Sequence, residues 1–150
     1  MAYESSWFQP LQAEEVILTH EPVSTLWSRW NSAWVRHVGV IAVLDDRKSL
    51  AGVLRPYDLF RHLLQLESEV YHLWPYTHVI ARSWTERINL LNHVPAGKLI
   101  RDQGVVIHNP PPEWTPSVDL FARHMTPVIW IADQTNALCG KATLKSVFPH

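Results

Sequence analysis

Cysteine is almost absent from the sequence, because Cys139 is the only one among 150 residues. A single thiol forms no intramolecular disulfide and cannot build a cysteine-based zinc site. Glycine is scarce as well, with five residues and no glycine-rich run, which excludes a phosphate-binding loop of the P-loop type. The fold must therefore be held together by its hydrophobic core, which a chain of this length can supply.

An excess of one charge is also missing. The chain has 13 Lys and Arg against 14 Asp and Glu, for a formal net charge of −1. This balance excludes a nucleic-acid-binding protein that works by neutralising phosphates. The longest apolar run, residues 38–44, has seven residues, whereas a membrane helix needs roughly 20. Residues 1–10 lack the basic and apolar parts of a secretory signal, so we expect a cytoplasmic protein without a membrane partner.

Catalytic and metal-binding motifs are missing too. The nine histidines are scattered, and no His-Glu-x-x-His or Gly-x-Ser-x-Gly motif occurs. The adjacent acidic pairs Glu14/Glu15 and Asp45/Asp46 are unsuited to acid–base catalysis, because neighbouring side chains diverge on both strands and helices. We therefore predict no catalytic residues, no metal ligands and no enzymatic activity.

What the sequence does contain is an internal repeat at an offset of 88 positions. Residues 38–60 align without a gap with residues 126–148, and six of the 23 positions are identical. The identical pairs are Val40/Val128, Ile41/Ile129, Asp45/Asp133, Leu50/Leu138, Gly52/Gly140 and Phe60/Phe148. The same offset aligns His20 with His108 and Pro22 with Pro110. Such a repeat indicates one supersecondary unit used twice.

Both units show the same order of structural signals. Each begins with a short β-branched run, residues 16–19 or 105–107, followed by a proline turn and a helix with one apolar face. A continuous apolar run ending in Asp comes next, residues 40–45 (VIAVLD) or 128–133 (VIWIAD), as is typical of a strand buried on both faces. A polar turn, a strand closing at the repeated glycine and a second helix complete the unit. We predict an α/β (α+β) fold of two β-α-β-β-α units packed as a pseudo-twofold pair.

The remaining segments are assigned from their composition. Residues 68–97 are too long for a plain loop, and the capping-box pattern beginning at Ser83 predicts an extra helix over about 84–93. Pro149 cuts the last helix of the second unit short. The predicted divisions are an N-terminal arm (1–15), a first repeat (16–67), a helical linker (68–97) and a second repeat (98–150).

Tryptophan is abundant, with eight residues. Trp27, Trp30 and Trp34 recur on one face of the first predicted helix. A stripe of this kind is typical of a buried core, and the alternative is an aromatic interface between two protomers.

The order of elements, the two apolar runs ending in Asp and the two closing glycines resemble a tandem pair of cystathionine-β-synthase (CBS) domains, also called a Bateman module. The resemblance covers residues 16–66 and 98–148, and it implies a regulatory module that senses a signal. Such a module binds AMP, ADP, ATP or S-adenosylmethionine in the cleft between its repeats. It passes the signal to a separate partner or to an appended domain of a longer polypeptide.

The resemblance also implies homodimers that form through helical faces. The alternative reading is a degenerate CBS pair that binds no small molecule and serves as a dimerisation or docking scaffold.

The ligand motif of this family is Gly, two residues, Thr or Ser, two residues, Asp, and each repeat keeps half of it. The first repeat has Gly52, then Arg55 in place of the hydroxyl residue, then Asp58. Asp58 in the first turn of a helix suits a carboxylate that accepts hydrogen bonds from a vicinal diol. Arg55 offers a planar donor fork suited to a phosphate.

The second repeat has Gly140, then Thr143, then Ser146 in place of the aspartate. The Thr143 hydroxyl can cap the last helix or bind a phosphate oxygen at its N-terminus. Ser146 occupies the aspartate position, and Lys141 adds positive charge nearby.

Two histidines complete the candidate ligand-binding set. His20 and His108 follow the first strand of their units at matched positions of the repeat. In the CBS family this strand end lies near the ligand cleft, so the resemblance implies that either imidazole can face a base or a ribose.

Overall fold

The computed structural model describes residues 7–29 and 39–148. Its strands are β1 (Gln9–Pro10), β2 (Val16–Leu18), β3 (Ile41–Leu44), β4 (Leu50–Leu54), β5 (Ser68–Leu73), β6 (Tyr76–Ala81), β7 (Val106–His108), β8 (Val128–Ala132) and β9 (Leu138–Thr143). Its α-helices are α1 (Leu26–Arg29), α2 (Pro56–Gln65), α3 (Trp84–Asn92), α4 (Val118–His124) and α5 (Leu144–Val147). Short 3₁₀ turns cover Ala13–Glu15, Val23–Thr25 and Ala96–Leu99.

The strands form two mixed sheets and one separate hairpin. The first sheet has the order β2-β3-β4, and the second has the order β1-β9-β8-β7. In both sheets the first strand of the repeat runs parallel to the second, which pairs antiparallel with the third. The prediction of an α/β fold with two β-α-β-β-α repeats is confirmed.

The hairpins of the two repeats match residue for residue. In the first repeat Val43 pairs with Gly52 and Leu44 with Leu50, so Ala51 bulges out of the ladder. The same register and the same shift recur 88 positions later in the β8–β9 pair. A bulge kept at one position in both copies marks a shared backbone design rather than a local irregularity.

The offset changes to 90 in the first strand of each repeat. Val16 pairs with Ala42, and Val106 pairs with Trp130. The second partners are 88 positions apart (130 minus 42), but the first partners are 90 apart (106 minus 16). The connection between the first two strands is therefore two residues shorter in the second repeat.

The apolar run of the first repeat is buried because each of its faces has a different partner. Ile41 and Val43 pack with the helices of their own repeat. Val40, Ala42 and Leu44 pack against the second sheet. Burial of a side chain of the Val or Ile type contributes about 1.5–3 kcal/mol, so both faces of β3 stabilise the fold.

Strand β8 has the same two-sided environment in the second repeat. Val128 and Trp130 pack against the first sheet, while Ile129 and Ile131 pack with Phe121 of α4. The two sheets therefore meet face to face, and each covers its outer face with helices. This packing confirms the prediction that both runs are buried strands.

The described part of the predicted N-terminal arm is integrated into the second sheet. Gln9 pairs with Lys141 of β9. Trp7 is 5% exposed and lies edge-on to Trp114, with 5.3 Å between the ring centroids. The polar composition of residues 1–15 predicted only an arm, because a strand of two residues carries too little pattern to be recognised.

The linker contains a β-hairpin that the sequence analysis did not predict. Residues 68–81 form β5 and β6 around the Trp74–Pro75 turn, where a helical linker was expected. Helix α3 spans Trp84–Asn92, close to the predicted 84–93, and the Ser83 hydroxyl accepts a hydrogen bond from the Glu86 N–H. The hairpin was missed because all six residues of β6 are exposed, and a strand without a buried face does not need an alternation of apolar and polar residues.

The tryptophan stripe is only partly within the described residues. Trp27 is 40% exposed, and its indole N–H donates to the side-chain oxygen of Asn92 at 2.7 Å. Trp30 and Trp34 lie outside the described residues. Among the helices that the structure does describe, none is long and apolar enough to cross a bilayer.

Candidate functional site

The segment that precedes each repeat crosses to the sheet of the other repeat. Gln9 pairs with Lys141 of β9, and the Val53 N–H of β4 donates to the Asp102 carbonyl at 2.9 Å. Since residues 53 and 141 are 88 positions apart, Gln9 and Asp102 hold equivalent places in the pseudo-twofold pair. We call these segments, residues 7–15 and residues 100–104, the first and the second lead-in.

The two glycines of the motif make room for the lead-ins. A Cβ on Gly52 would lie 2.9 Å from the Asp102 carbonyl oxygen. A Cβ on Gly140 would lie 2.7 Å from the Gln9 carbonyl oxygen. Both distances are too short for a carbon against a main-chain oxygen, so the glycines permit the close approach of backbone to strand.

The first half-site lies where β4 passes into α2. Asp58 is 7% exposed, and its carboxylate accepts a hydrogen bond from the Arg55 N–H at 3.0 Å. The Arg55 guanidinium extends to the second lead-in, where it donates to the Asp102 carboxylate at 2.7 Å. The structure therefore brings the two predicted residues of this repeat together and adds Asp102, which the sequence analysis did not single out.

Asp102 is held in place from two directions. One carboxylate oxygen accepts from Arg55, and the other accepts from the Gly104 N–H at 2.8 Å. The Arg55 and Asp102 side chains are 39% and 44% exposed. An ion pair with this much solvent contact is worth about 0.2–1 kcal/mol, so Asp102 holds the Arg55 side chain only weakly.

The second half-site lies where β9 passes into α5. Thr143 is 9% exposed and occupies the N-cap position of α5, but within the described chain its side chain makes no capping hydrogen bond. The Ser146 hydroxyl donates to the Thr143 carbonyl at 2.6 Å. The expected cap is therefore not formed, and the Thr143 hydroxyl is left for another partner.

Lys141 is not placed as expected. Its side chain is 1% exposed, and its ammonium group donates to the Glu15 carboxylate at 2.7 Å. Burial lowers the pKa of Lys141. The expectation that Lys141 supplies accessible positive charge is wrong, because this charge is enclosed and paired.

Glu15 is a further residue that the sequence analysis missed. It is as deeply buried as Lys141, and burial raises its pKa despite the opposing lysine. Its second carboxylate oxygen, Oε2, has no hydrogen-bond partner among the described residues. A signal was present in the sequence, because a lysine inside a buried strand almost never occurs without a buried partner.

Known structures share this architecture, although no family model and no curated protein matches the sequence. A CBS domain protein from Streptococcus pneumoniae matches with a TM-score of 0.64 at 12% identity, over 95% of this chain and 81% of its own. Staphylococcus aureus OpuCA matches with a TM-score of 0.58 at 14% identity, over 96% and 93% of the two chains. CBSX2 in complex with AMP matches with 0.58 at 17% identity, over 94% and 89%. This chain has the fold of a tandem CBS pair.

In this CBS pair the two candidate histidines are not equivalent. The offset of 90 in the first strand places His20 opposite Pro110 of the second repeat, not opposite His108. The His20 side chain is 67% exposed, with its Nδ1 3.9 Å from the Asp46 carboxylate, and His108 is exposed at the end of β7. The matched positions predicted from the 88-residue offset are therefore wrong, because that offset does not extend to the first strand.

The aspartates that end the apolar runs of the CBS pair have a structural role. The Asp45 carboxylate accepts the Ser49 N–H at 3.0 Å, and the Asp133 carboxylate accepts the equivalent Ala137 N–H at 3.2 Å. Hydrogen bonds from Thr135 lower the pKa of Asp133. Each aspartate therefore closes the turn of its hairpin and explains why the apolar run ends there.

The described residues favour neither metal binding nor thiol chemistry. Within the ranges 7–29 and 39–148, no cluster of three or more His, Cys, Asp or Glu could hold a metal ion. The Cys139 thiol is half-buried, and it donates to the Ile131 carbonyl at 3.4 Å. Burial raises its pKa, which disfavours the reactive thiolate.

Proposed function

We propose that this CBS pair is a cytoplasmic regulatory module that binds an adenine nucleotide, or a related adenosyl compound, between its repeats. The observation that carries the proposal is the first half-site, where Asp58 and Arg55 lie together at the start of α2. The module has no catalytic role in this proposal. It acts on a separate partner or on an appended domain.

The first half-site offers complementary groups for a ribose phosphate. The Asp58 carboxylate uses one oxygen for the Arg55 N–H and can accept hydrogen bonds from ribose hydroxyls with the other. The Arg55 guanidinium can bind a phosphate with two parallel hydrogen bonds. Because the guanidinium donates to the Asp102 carboxylate, a phosphate that binds Arg55 replaces this carboxylate.

The second half-site supplies a hydroxyl at a helix start. Thr143 can donate to a phosphate oxygen, and the exposed Lys145 side chain belongs to the first turn of the same helix. The Ser146 hydroxyl can bind the ligand only if it gives up its hydrogen bond to the Thr143 carbonyl. The histidines His20 and His108 remain proposals for contact with the base, although they lie at different places in their repeats.

The AMP complex of CBSX2 supports the choice of ligand, since that protein shares the fold of this chain. The exchange at Arg55 supports a route for the signal. A phosphate that displaces Asp102 releases the side-chain contact between Arg55 and the second lead-in, while the Asp102 carbonyl can keep its bond to the Val53 N–H. The ligand therefore binds two arrangements of this segment with different affinity, which is what a regulatory shift requires.

Thermal unfolding with AMP, ADP, ATP and S-adenosylmethionine tests the proposal. A ligand at 100 times its Kd adds about 2.7 kcal/mol, which raises the midpoint by roughly 5–10 °C for a chain of this size. We expect such a rise with one member of the panel and a smaller rise in Thr143→Ala. A flat response to the whole panel would contradict the proposal.

The substitution Asp102→Asn tests the exchange at Arg55. The asparagine oxygen still accepts the Gly104 N–H, but the charge that pairs with Arg55 is lost. We expect AMP to bind up to about fivefold more tightly, since an exposed ion pair is worth about 0.2–1 kcal/mol. Adenosine is the matched control ligand, because it has no phosphate and its affinity should not change.

A second candidate function is the scaffold without a ligand, acting as a homodimer through helical faces. It is favoured by the exposed apolar stripe of α2, where Tyr57, Phe60 and Leu64 are each more than 60% exposed. The second repeat has an apolar groove of its own, of about 400 Å³, between α4 and α5. Light scattering that shows a dimer lost in Phe60→Lys, together with a flat nucleotide panel, would favour this function.

A further inference from the structure

The β5–β6 hairpin stands apart from both sheets and exposes apolar side chains. All six residues of β6 are exposed, among them Tyr76 at 70%, Val79 at 67% and Ile80 at 54%. At its base Arg82, which directly follows β6, links the two strands by donating to the Glu69 carboxylate of β5 at 2.9 Å. A two-stranded hairpin is marginally stable in water, so this element gains stability from a third strand.

The outer edge of β6 is open along its length. The Arg82 N–H donates to the Glu67 carbonyl at 2.9 Å, so these two residues form a hydrogen-bonded pair. Hydrogen-bonded and non-hydrogen-bonded pairs alternate from there along the antiparallel ladder. By that alternation the N–H and C=O groups of Thr77, Val79 and Ala81 point away from β5. Within the part of the chain that the structure describes, no strand pairs with this edge.

This open edge contrasts with the protection of the two main sheets. The outer edge of β4 is bonded by the second lead-in, and that of β9 pairs with β1. Proteins usually guard a free edge with charged residues, proline or a bulge. Strand β6 has no proline, and residues 70–81 contain no Asp, Glu, Lys or Arg.

We propose that β6 is a self-association edge that pairs antiparallel with β6 of a second copy of this chain. Outward-pointing groups must meet each other, so the pairing centres on Val79, with Thr77 opposite Ala81 of the second copy. Val79 already lies opposite Val70 within the hairpin, and Val70 is 52% exposed. The pairing therefore forms a four-stranded sheet with a continuous row of four valines.

The neutrality of β6 favours a second copy as its occupant. In a twofold pairing the central residue meets its own copy, and the flanking residues of both copies lie close to the axis, so charges of one sign on β6 would repel each other. No such repulsion arises in β6, where His78 meets Ile80. Twofold pairing also closes after two copies, which leaves no open β6 edge to extend into a fibre.

Sedimentation velocity over a range of concentrations tests the proposal. The substitution Val79→Lys sets two ammonium groups opposite each other at the centre, and we expect it to weaken association by about tenfold or more. His72→Lys is the matched control, because it adds the same charge to the same hairpin on β5, away from the paired edge. It should leave association unchanged.

Amide hydrogen exchange supplies a second readout that a folding defect does not mimic. We expect the amides of Thr77, Val79 and Ala81 to become protected as concentration rises, while those of His78 and Ile80 are protected throughout by β5. The proposal would be overturned by a chain that stays monomeric at all concentrations. Association that Val79→Lys leaves intact, or edge amides that stay unprotected, would also overturn it. Loss of association in Phe60→Lys alone would assign the contact to the helices instead.

Discussion

At the scale of single residues, the Glu15–Lys141 pair shows how an ion pair can be buried without being a strong source of stability. Both side chains are 1% exposed, and burial shifts both pKa values toward the neutral forms. The loss of hydration therefore outweighs much of the attraction between the two charges. What the pair provides is a fixed connection between the first lead-in and β9.

A double-mutant cycle tests this interpretation. Glu15→Met or Lys141→Met alone leaves the other buried charge without its ion-pair partner, and each should lower the free energy of unfolding by about 3–5 kcal/mol. The combined variant Glu15→Met/Lys141→Met should come within about 1–2 kcal/mol of the wild type or exceed it. Urea unfolding measures all of these values. Single losses that simply add in the double variant would contradict the interpretation.

His62 on α2 gives the chain a dependence on pH. Burial lowers its pKa, and the nearby Arg101 lowers it further. The folded state therefore prefers the neutral imidazole. The resulting stability is fully present above the unfolded pKa of about 6.5 and is lost as the pH falls through the lower folded value.

We therefore expect the thermal midpoint to fall on acidification below pH 6.5, and to fall less in His62→Gln. In Arg101→Gln the pKa of His62, followed by NMR titration, should move upward toward its ordinary value. If acidification lowered the thermal midpoint equally in wild type and in His62→Gln, the pH dependence would belong to other groups.

At the scale of elements, the crossed lead-ins distinguish this fold from two independent repeats. Each lead-in is bonded to the third strand of the opposite repeat and depends on the glycine there. Gly140→Ala pushes a methyl group against the Gln9 carbonyl, and Gly52→Ala does the same against the Asp102 carbonyl. Overpacking of this kind costs about 1–3 kcal/mol.

Hydrogen exchange distinguishes these two glycine variants from each other. The Leu11 amide, which donates to the Cys139 carbonyl, should exchange faster in Gly140→Ala. The Val53 amide, which donates to the Asp102 carbonyl, should exchange faster in Gly52→Ala. Each variant serves as the control for the other. If either variant made both amides exchange faster, the two lead-ins would not be independent.

The elements also show which parts of the fold the sequence could reveal. The β3–β4 and β8–β9 hairpins were predictable, because their register, bulge and turn aspartates repeat at one offset. The lead-ins were not, since Gln9 and Asp102 are 93 positions apart and share no residue type. The β5–β6 hairpin was missed because an exposed hairpin leaves no pattern of burial.

At the scale of the whole molecule, two sheets pack face to face and place one half-site at the start of α2 and the other at the start of α5. The Asp58 and Arg55 half-site was predictable from the motif, because helix start and carboxylate are both visible in the sequence. Asp102 was not, because its place beside Arg55 depends on a contact over 47 positions. The arrangement of the first half-site is therefore set by the second lead-in as much as by the first repeat.

A calorimetric titration of AMP into the wild-type chain and into Asp58→Asn decides between the ligand-binding module and the scaffold. We expect saturable binding to the wild type and at least tenfold weaker binding to the variant, since asparagine replaces the carboxylate that we propose as the acceptor for the ribose hydroxyls. Equal affinity in the two chains would contradict the proposed site. The absence of binding heat with AMP, ADP, ATP and S-adenosylmethionine alike would contradict the proposed function.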